Sequence, residues 1–245
     1  MKKVILTLLL IASFAFARAD SNDDSRFHAH RGFYFSINSG VVYTYARSFL
    51  RDNMDDGLKE SNTTFTGLLS YEEIRLGGSI ANIASVYAVF GFGYGTGTYE
   101  DEIECNDCSR RNEGTFKEDD DEDIRLLFGV GGEFYPIQEK ESAAYGLFFG
   151  ITAGFIIDNV ICTDHDFDES YDEMISDAFA NLFVRLEVGK EWWIGRRWTF
   201  GVALNYTYGS MSETYDDSYY DGETYLEDEE SFANHTFGLT LRLTH

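Results

Sequence analysis

Proline is nearly absent: Pro136 is the only one in 245 residues, and no Ser- or Gly-rich spacer interrupts the chain. Nothing marks a linker, so one domain is expected, a size that all-β units of about 200–250 residues reach without division. Basic residues are also scarce. Against 43 Asp and Glu stand 19 Lys and Arg, for a formal charge of −24. Phosphate binding needs clusters of Lys and Arg, which excludes nucleic acid as a partner. After the first twenty residues no stretch approaches the roughly 18 consecutive apolar residues of a membrane helix. Any membrane crossing must then be made by strands. Cysteine is limited to Cys105, Cys108 and Cys162, an odd number that leaves one thiol over if two of them pair.

The first 19 residues carry a different signal. Lys2 and Lys3 precede an apolar run from Val4 to Phe16, and Ala17, Arg18 and Ala19 stand before a polar stretch that begins at Asp20. Basic start, short apolar core and Ala-x-Ala are the parts of a cleaved secretory signal peptide. Residues 20–245 are the expected mature domain, with a charge of −27 once Lys2, Lys3 and Arg18 are removed.

That domain reads with a period of two. Phe33, Phe35, Ile37, Val41, Tyr43 and Tyr45 share one parity, against Ser36, Asn38, Gly40 and Thr44 on the other. Seven further runs repeat the pattern, centred on residues 74–80, 86–94, 124–134, 145–155, 182–188, 198–208 and 237–243. Alternation of this length predicts strands. Eight strands is the even number that a closed single-chain membrane barrel requires. Short links follow the second, fourth and sixth strands; connections of about 20 residues follow the others, the asymmetry of membrane barrels with short inner turns and long outer loops.

Alternation does not say which face is inside, but volume does. An eight-stranded interior is just wide enough for side chains to fill it, and roughly 40 bulky apolar residues would overfill it at protein packing density. The apolar parity therefore faces lipid. The other parity supplies Glu73, Arg75, Arg125, Glu133, Arg185, Glu187 and Arg242 among small residues, a set predicted to pair inside the lumen, since an Arg facing mid-bilayer lipid would cost about 2–4 kcal/mol. Two aromatic girdles are expected: Trp192, Trp193, Trp198, Tyr135 and Tyr145 at the short-turn end, and Tyr43, Tyr45, Tyr94, Tyr99, Tyr206 and Tyr208 at the other.

These features together, the signal peptide, eight alternating strands, lumen Arg and Glu, and a last strand of Phe237, Leu239, Leu241 and Leu243, resemble the small outer-membrane β-barrels of the OmpA transmembrane domain and OmpX type. The resemblance spans the mature chain and is architectural. It implies an all-β, closed, antiparallel up-and-down transmembrane barrel in a bacterial outer membrane, monomeric, with lipid as its main partner. Members usually end in an aromatic residue, whereas this chain ends in His245. Their roles include adhesion, complement resistance, anchoring, lipid modification and proteolysis, so fold alone does not settle function.

Acid is concentrated in the long connections: residues 100–123 hold twelve Asp and Glu, 158–177 eight, and 210–231 nine. A solvated rim is the simplest reading, and divalent cations or an extracellular partner surface are the expected ligands beyond it. Asp164, Asp166 and Asp168 begin like a calcium loop, but no glycine stands at its sixth position and Ile175 replaces the bidentate Glu. Cys105 and Cys108 form a C-x-x-C suited to a small disulfide, leaving Cys162 over. No cofactor is expected. His28, His30, His165, His235 and His245 are scattered, without the nucleophile and base that catalysis needs; Asp164 next to His165 resembles the Asp and His pairs of outer-membrane proteases. The leading expectation is a non-enzymatic barrel with a side-chain-filled lumen and interactive acidic loops. The alternatives are a narrow pore and a loop-borne hydrolase.

The loop asymmetry also orients the barrel. Protease added to intact cells is expected to cut within the acidic connections and to spare residues 81–85 and 190–197; cleavage in those two links would reverse the orientation.

Overall fold

The structure is a computed structural model describing residues 32–54, 57–80, 83–106, 114–161, 176–195, 197–215 and 228–245. Eight strands follow one another without a helix among the described residues: β1 (Gly32–Met54), β2 (Gly57–Ile80), β3 (Ala84–Asn106), β4 (Gly114–Phe134), β5 (Leu147–Ile161), β6 (Ser176–Trp193), β7 (Thr199–Tyr215) and β8 (Asp228–Thr244). Each pairs antiparallel with its neighbours in sequence, and β8 closes on β1 through a ladder from Ser36 opposite Thr244 to Arg51 opposite Glu229. The first 31 residues, with the expected signal peptide of residues 1–19, lie outside the described residues.

Side chains sort by parity as the alternation requires. Phe33, Val130 and Leu182 are 63%, 66% and 64% exposed, whereas Tyr34, Leu127 and Phe148 are fully buried. The outward set forms an apolar belt around all eight strands, far larger than a monomeric protein leaves to water. A closed ladder with an apolar exterior is one of the two solutions by which a chain can cross hydrocarbon, since every backbone donor and acceptor is paired within the ring. No described helix is long and apolar enough to do so.

The interior differs from a merely small and polar one. Tyr34, Tyr87, Val89, Leu127, Ile156 and Phe183 form one inward apolar cluster, and Val42, Leu69 and Tyr71 another. Phe148 with Tyr135 and Ala203 packs at the short-turn end, while Phe65, Phe232 and Ala46 pack at the opposite end. Inward glycines make room for these rings: a Cβ on Gly91 would lie 2.4 Å from Tyr71 Oη.

The long connections also differ from expectation. β1 and β2 run on past the belt and remain paired to Met54 opposite Gly57, where a connection of about 20 residues was expected. β3 and β4 remain paired to Ile103 opposite Gly114, with a register shift between Gly97 and Thr98, so most of the acidic stretch 100–123 is strand. Spanning takes only about 9–11 residues per strand, and β1 has 23 where β5 has 15. The extensions satisfy their own backbone by pairing. In water both their faces are wet, and no alternation betrays them.

Two girdle assignments are overturned. Tyr135 is 4% exposed and donates to Glu133 in the lumen. Tyr99 falls on the lumen-facing parity opposite Phe65, the parity it shares with Gly91, Gly93 and Gly95. Other expected girdle members keep their place: at one end lies Trp198, whose ring meets those of Phe35 and His245 at 6.4 and 5.0 Å. At the other end His235 lies among Tyr45, Tyr206 and Tyr208. The terminal ladder seats His245, whose N–H donates to the Phe35 carbonyl at 2.8 Å.

The turn between β4 and β5 ends on Gly146, at φ +85°, where a Cβ would meet the Glu191 carbonyl oxygen at 2.2 Å. Both the backbone region and the contact demand glycine. Gly146→Ala is expected to destabilise the folded barrel by more than about 1 kcal/mol, read as a lower urea midpoint in lipid vesicles.

Candidate functional site

The most highly organised group of polar side chains lies across the lumen. Arg75 on β2 is 2% exposed and reaches three carboxylates: its Nε donates to Glu73, Nη1 to Glu133 and Nη2 to Glu187 Oε2 at 2.8 Å. Arg242 on β8 grips two of the same walls, with Nη2 on Glu133 Oε1 at 2.8 Å and Nη1 on Glu187 Oε1 at 2.9 Å, while its Nε meets Glu191 Oε1 at 2.9 Å. Arg185 on β6 donates to Glu73 through Nη1 and to the Tyr71 hydroxyl through Nη2 at 2.9 Å. Three arginines and four glutamates are thus joined in one chain of contacts.

The remaining strands enter through neutral groups. Tyr34 and Asn38 of β1 donate to Glu133 and Glu73 at 3.1 and 2.8 Å. Tyr87 of β3 accepts from Arg75 and hydrogen-bonds Thr152 of β5, and Thr199 of β7 donates to Glu191 at 2.9 Å. Every strand contributes, so the network cross-braces the ring. The guanidinium faces are covered too: Arg242 lies 4.1 Å from the Phe148 ring, Arg75 4.8 Å from Tyr87 and Arg185 5.0 Å from Tyr71. Buried charge is tolerable only when paired and hydrogen-bonded in this way.

Of the seven lumen charges read from the sequence, Glu73, Arg75, Glu133, Arg185, Glu187 and Arg242 meet in this network. Arg125 does not join them. It sits in a separate layer, donating to Thr236 and Thr44 at 2.8 and 3.0 Å, with Asp123 at 3.6 Å. Glu191 was missed because residues 190–197 read as a link, whereas β6 continues to Trp193. The tyrosines were missed because they share a parity with glycines and threonines; a bulky ring opposite a lumen glycine, as Tyr71 is to Gly93 and Tyr87 to Gly131, is the signal that could have found them.

The outer extensions have their own order. Asp101 accepts from Ser61 and Thr63 at 2.7 and 3.0 Å, and Glu100 and Glu102 stand opposite Thr64 and Asn62. Among the described residues no group of three or more His, Cys, Asp or Glu is placed to hold a metal ion. Asp164, Asp166 and Asp168, with His165, lie outside the described residues, as do Cys108 and Cys162; Cys105 occupies β3 opposite Lys59.

No protein-family model and no curated protein sequence matches the chain. Among solved structures, the outer membrane protein OprG from Pseudomonas aeruginosa is 10% identical over 87% of this chain and 97% of its own, with a TM-score of 0.43. The outer membrane protease OmpT from Escherichia coli is 9% identical over 94% of this chain and 99% of its own, at 0.40. The Pseudomonas putida toluene transporter TodX is 6% identical over 87% and 89%, at 0.18. The architecture stands on the chain's own register, and the activities in those names belong to those proteins.

Arg75 is the joint of the network. Arg75→Ala would take one cation from each of three buried carboxylates, leaving Glu73 on Arg185 alone and Glu133 and Glu187 sharing Arg242, a loss expected at about 3–5 kcal/mol. Arg75→Lys should recover only part of it, because one ammonium lacks the planar fork that serves three acceptors. Urea unfolding in vesicles, followed by tryptophan fluorescence, measures both.

Proposed function

We propose that the chain is a non-enzymatic barrel of a bacterial outer membrane, closed to permeation by its own side chains, whose acidic outer hairpins and connections engage cations, surface polymers or a partner protein. One observation carries the closed lumen: the arginine and glutamate network reaches from wall to wall and is stacked with buried rings above and below it. A narrow pore needs water along its axis, and here the lumen polar groups are turned on one another. The acidic stretches supply the reading of the outside. Asp and Glu fill 12 of the 24 positions in 100–123; apart from Asp123, buried beside Arg125, these acids supply oxygens of the kind that hard cations bind.

Planar-bilayer recording tests the closed lumen. Purified protein should insert without steady single-channel currents in monovalent salt, and a reproducible unitary conductance would overturn the reading in favour of a pore.

A further inference from the structure

The lipid-facing belt is broken in one place. Glu72 lies on the outward parity of β2 between Ser70 and Ile74, partly buried, and its Oε1 accepts from Ser39 Oγ on β1 at 2.7 Å. The two residues are direct cross-strand partners, four positions from Phe35 opposite Leu76 toward one rim and four from Tyr43 opposite Leu68 toward the other. The carboxyl therefore sits midway across the bilayer. On the flanking strands Phe92 of β3 stands opposite Glu72 and Leu241 of β8 opposite Ser39, both exposed on the outer face. On the far wall the outward positions of β6, Leu182, Val184, Leu186 and Val188, are wholly apolar.

Hydrocarbon gives a carboxyl no hydrogen-bond partner, and ionisable groups at that depth face protein or a polar cavity. We propose that the β1–β2 wall is a dimer interface within the membrane, in which the Ser39–Glu72 pair of one copy meets that of a second copy of this chain. The patch is self-complementary. It offers a hydroxyl donor at Ser70 beside a carboxyl of which Oε1 already takes the Ser39 hydroxyl, so a twofold axis through the wall sets each acid's other oxygen against the second copy's Ser70, as an isologous contact requires. Small side chains at 39 and 70 let the two walls approach closely.

A second feature of the same wall agrees. Above the belt the β1–β2 hairpin carries Arg47 and Arg51 beside Glu60 and Asn62 on its outward face, with Arg51 Nε 3.6 Å from Glu60 and Arg47 donating to Asn62 at 3.0 Å. Both signs of charge on one face allow the hairpins of two copies to pair in register over the membrane contact. The inference replaces the single barrel expected from the resemblance, and it goes beyond the closed-lumen reading: cross-linking reads the outer wall, and conductance reads the lumen.

The test uses the full chain with Cys105, Cys108 and Cys162 replaced by serine, reconstituted in phosphatidylcholine vesicles and oxidised. A single cysteine at Ser70→Cys should give a disulfide-linked dimer, while Leu186→Cys on the far wall should give only the level of random collision. Adding Glu72→Leu to the Ser70→Cys protein should lower the cross-linked fraction by about fivefold or more, and Ser39→Ala should lower it in the same direction. Glu72→Leu restores the apolar belt, so it should fold at least as stably as the parent by heat-modified gel mobility, which separates loss of dimer from loss of fold. Equal cross-linking at Ser70→Cys and Leu186→Cys across protein-to-lipid ratios would overturn the proposal, as would a Glu72→Leu protein that cross-links like its parent.

Discussion

Hydrocarbon offers a backbone amide no partner, so the ladder that joins β8 to β1 is the constraint from which the remaining architecture follows. Once the ring is closed, eight strands enclose a lumen too narrow to be left to water and too large to be empty. Each inward side chain must then meet another across the axis. The strands cannot all send large residues inward at one level, and glycines alternate with rings for that reason: Phe148 lies over Gly189 and Tyr71 over Gly91. Closure also decides the polarity of the exterior, because a strand has only two faces and the interior has claimed one.

The arginine and glutamate network follows from the same geometry. Replacing a buried ion pair by well-packed apolar residues is often neutral or stabilising, so the charges do not explain stability by themselves. What they add is direction. Arg75 fits three carboxylates carried by β2, β4 and β6, and Arg242 carries the connection to β8. A slip of one residue in any of those strands would turn its glutamate to lipid and leave a guanidinium unmatched. The network therefore fixes the register of strands that are not neighbours in the sheet, which backbone pairing cannot do.

Lipid made much of this legible in the sequence. It imposes one apolar parity on every strand, and Phe33, Phe90, Leu186 and Leu239 could be assigned outward from alternation together with the volume of the interior. The hairpin extensions were illegible because water wets both of their faces, leaving residues such as Asn62, Thr63 and Thr64 without a pattern. Tyr135 was mistaken for a rim residue since chain position near a turn says nothing about which way a side chain points. The partners within the lumen were also beyond reach: which arginine meets which glutamate depends on strand stagger, and Arg125 shares its parity with the network yet lies in another layer.

Glu72 shows the opposite failure, a signal present but passed over. The first strand's apolar series runs 33, 35, 37, then 41, and the missing member is Ser39, the residue that faces Glu72 across the ladder. Counting apolar hits hides such a gap, whereas counting polar residues at outward positions exposes it. The distinction is physical. A serine in the belt costs little and a glutamate at mid-bilayer costs a few kcal/mol at most, which the belt can carry, so the pair is a cost without a return unless that depth meets something other than lipid. A self-complementary wall supplies a second donor beside Ser39 without requiring any second kind of chain.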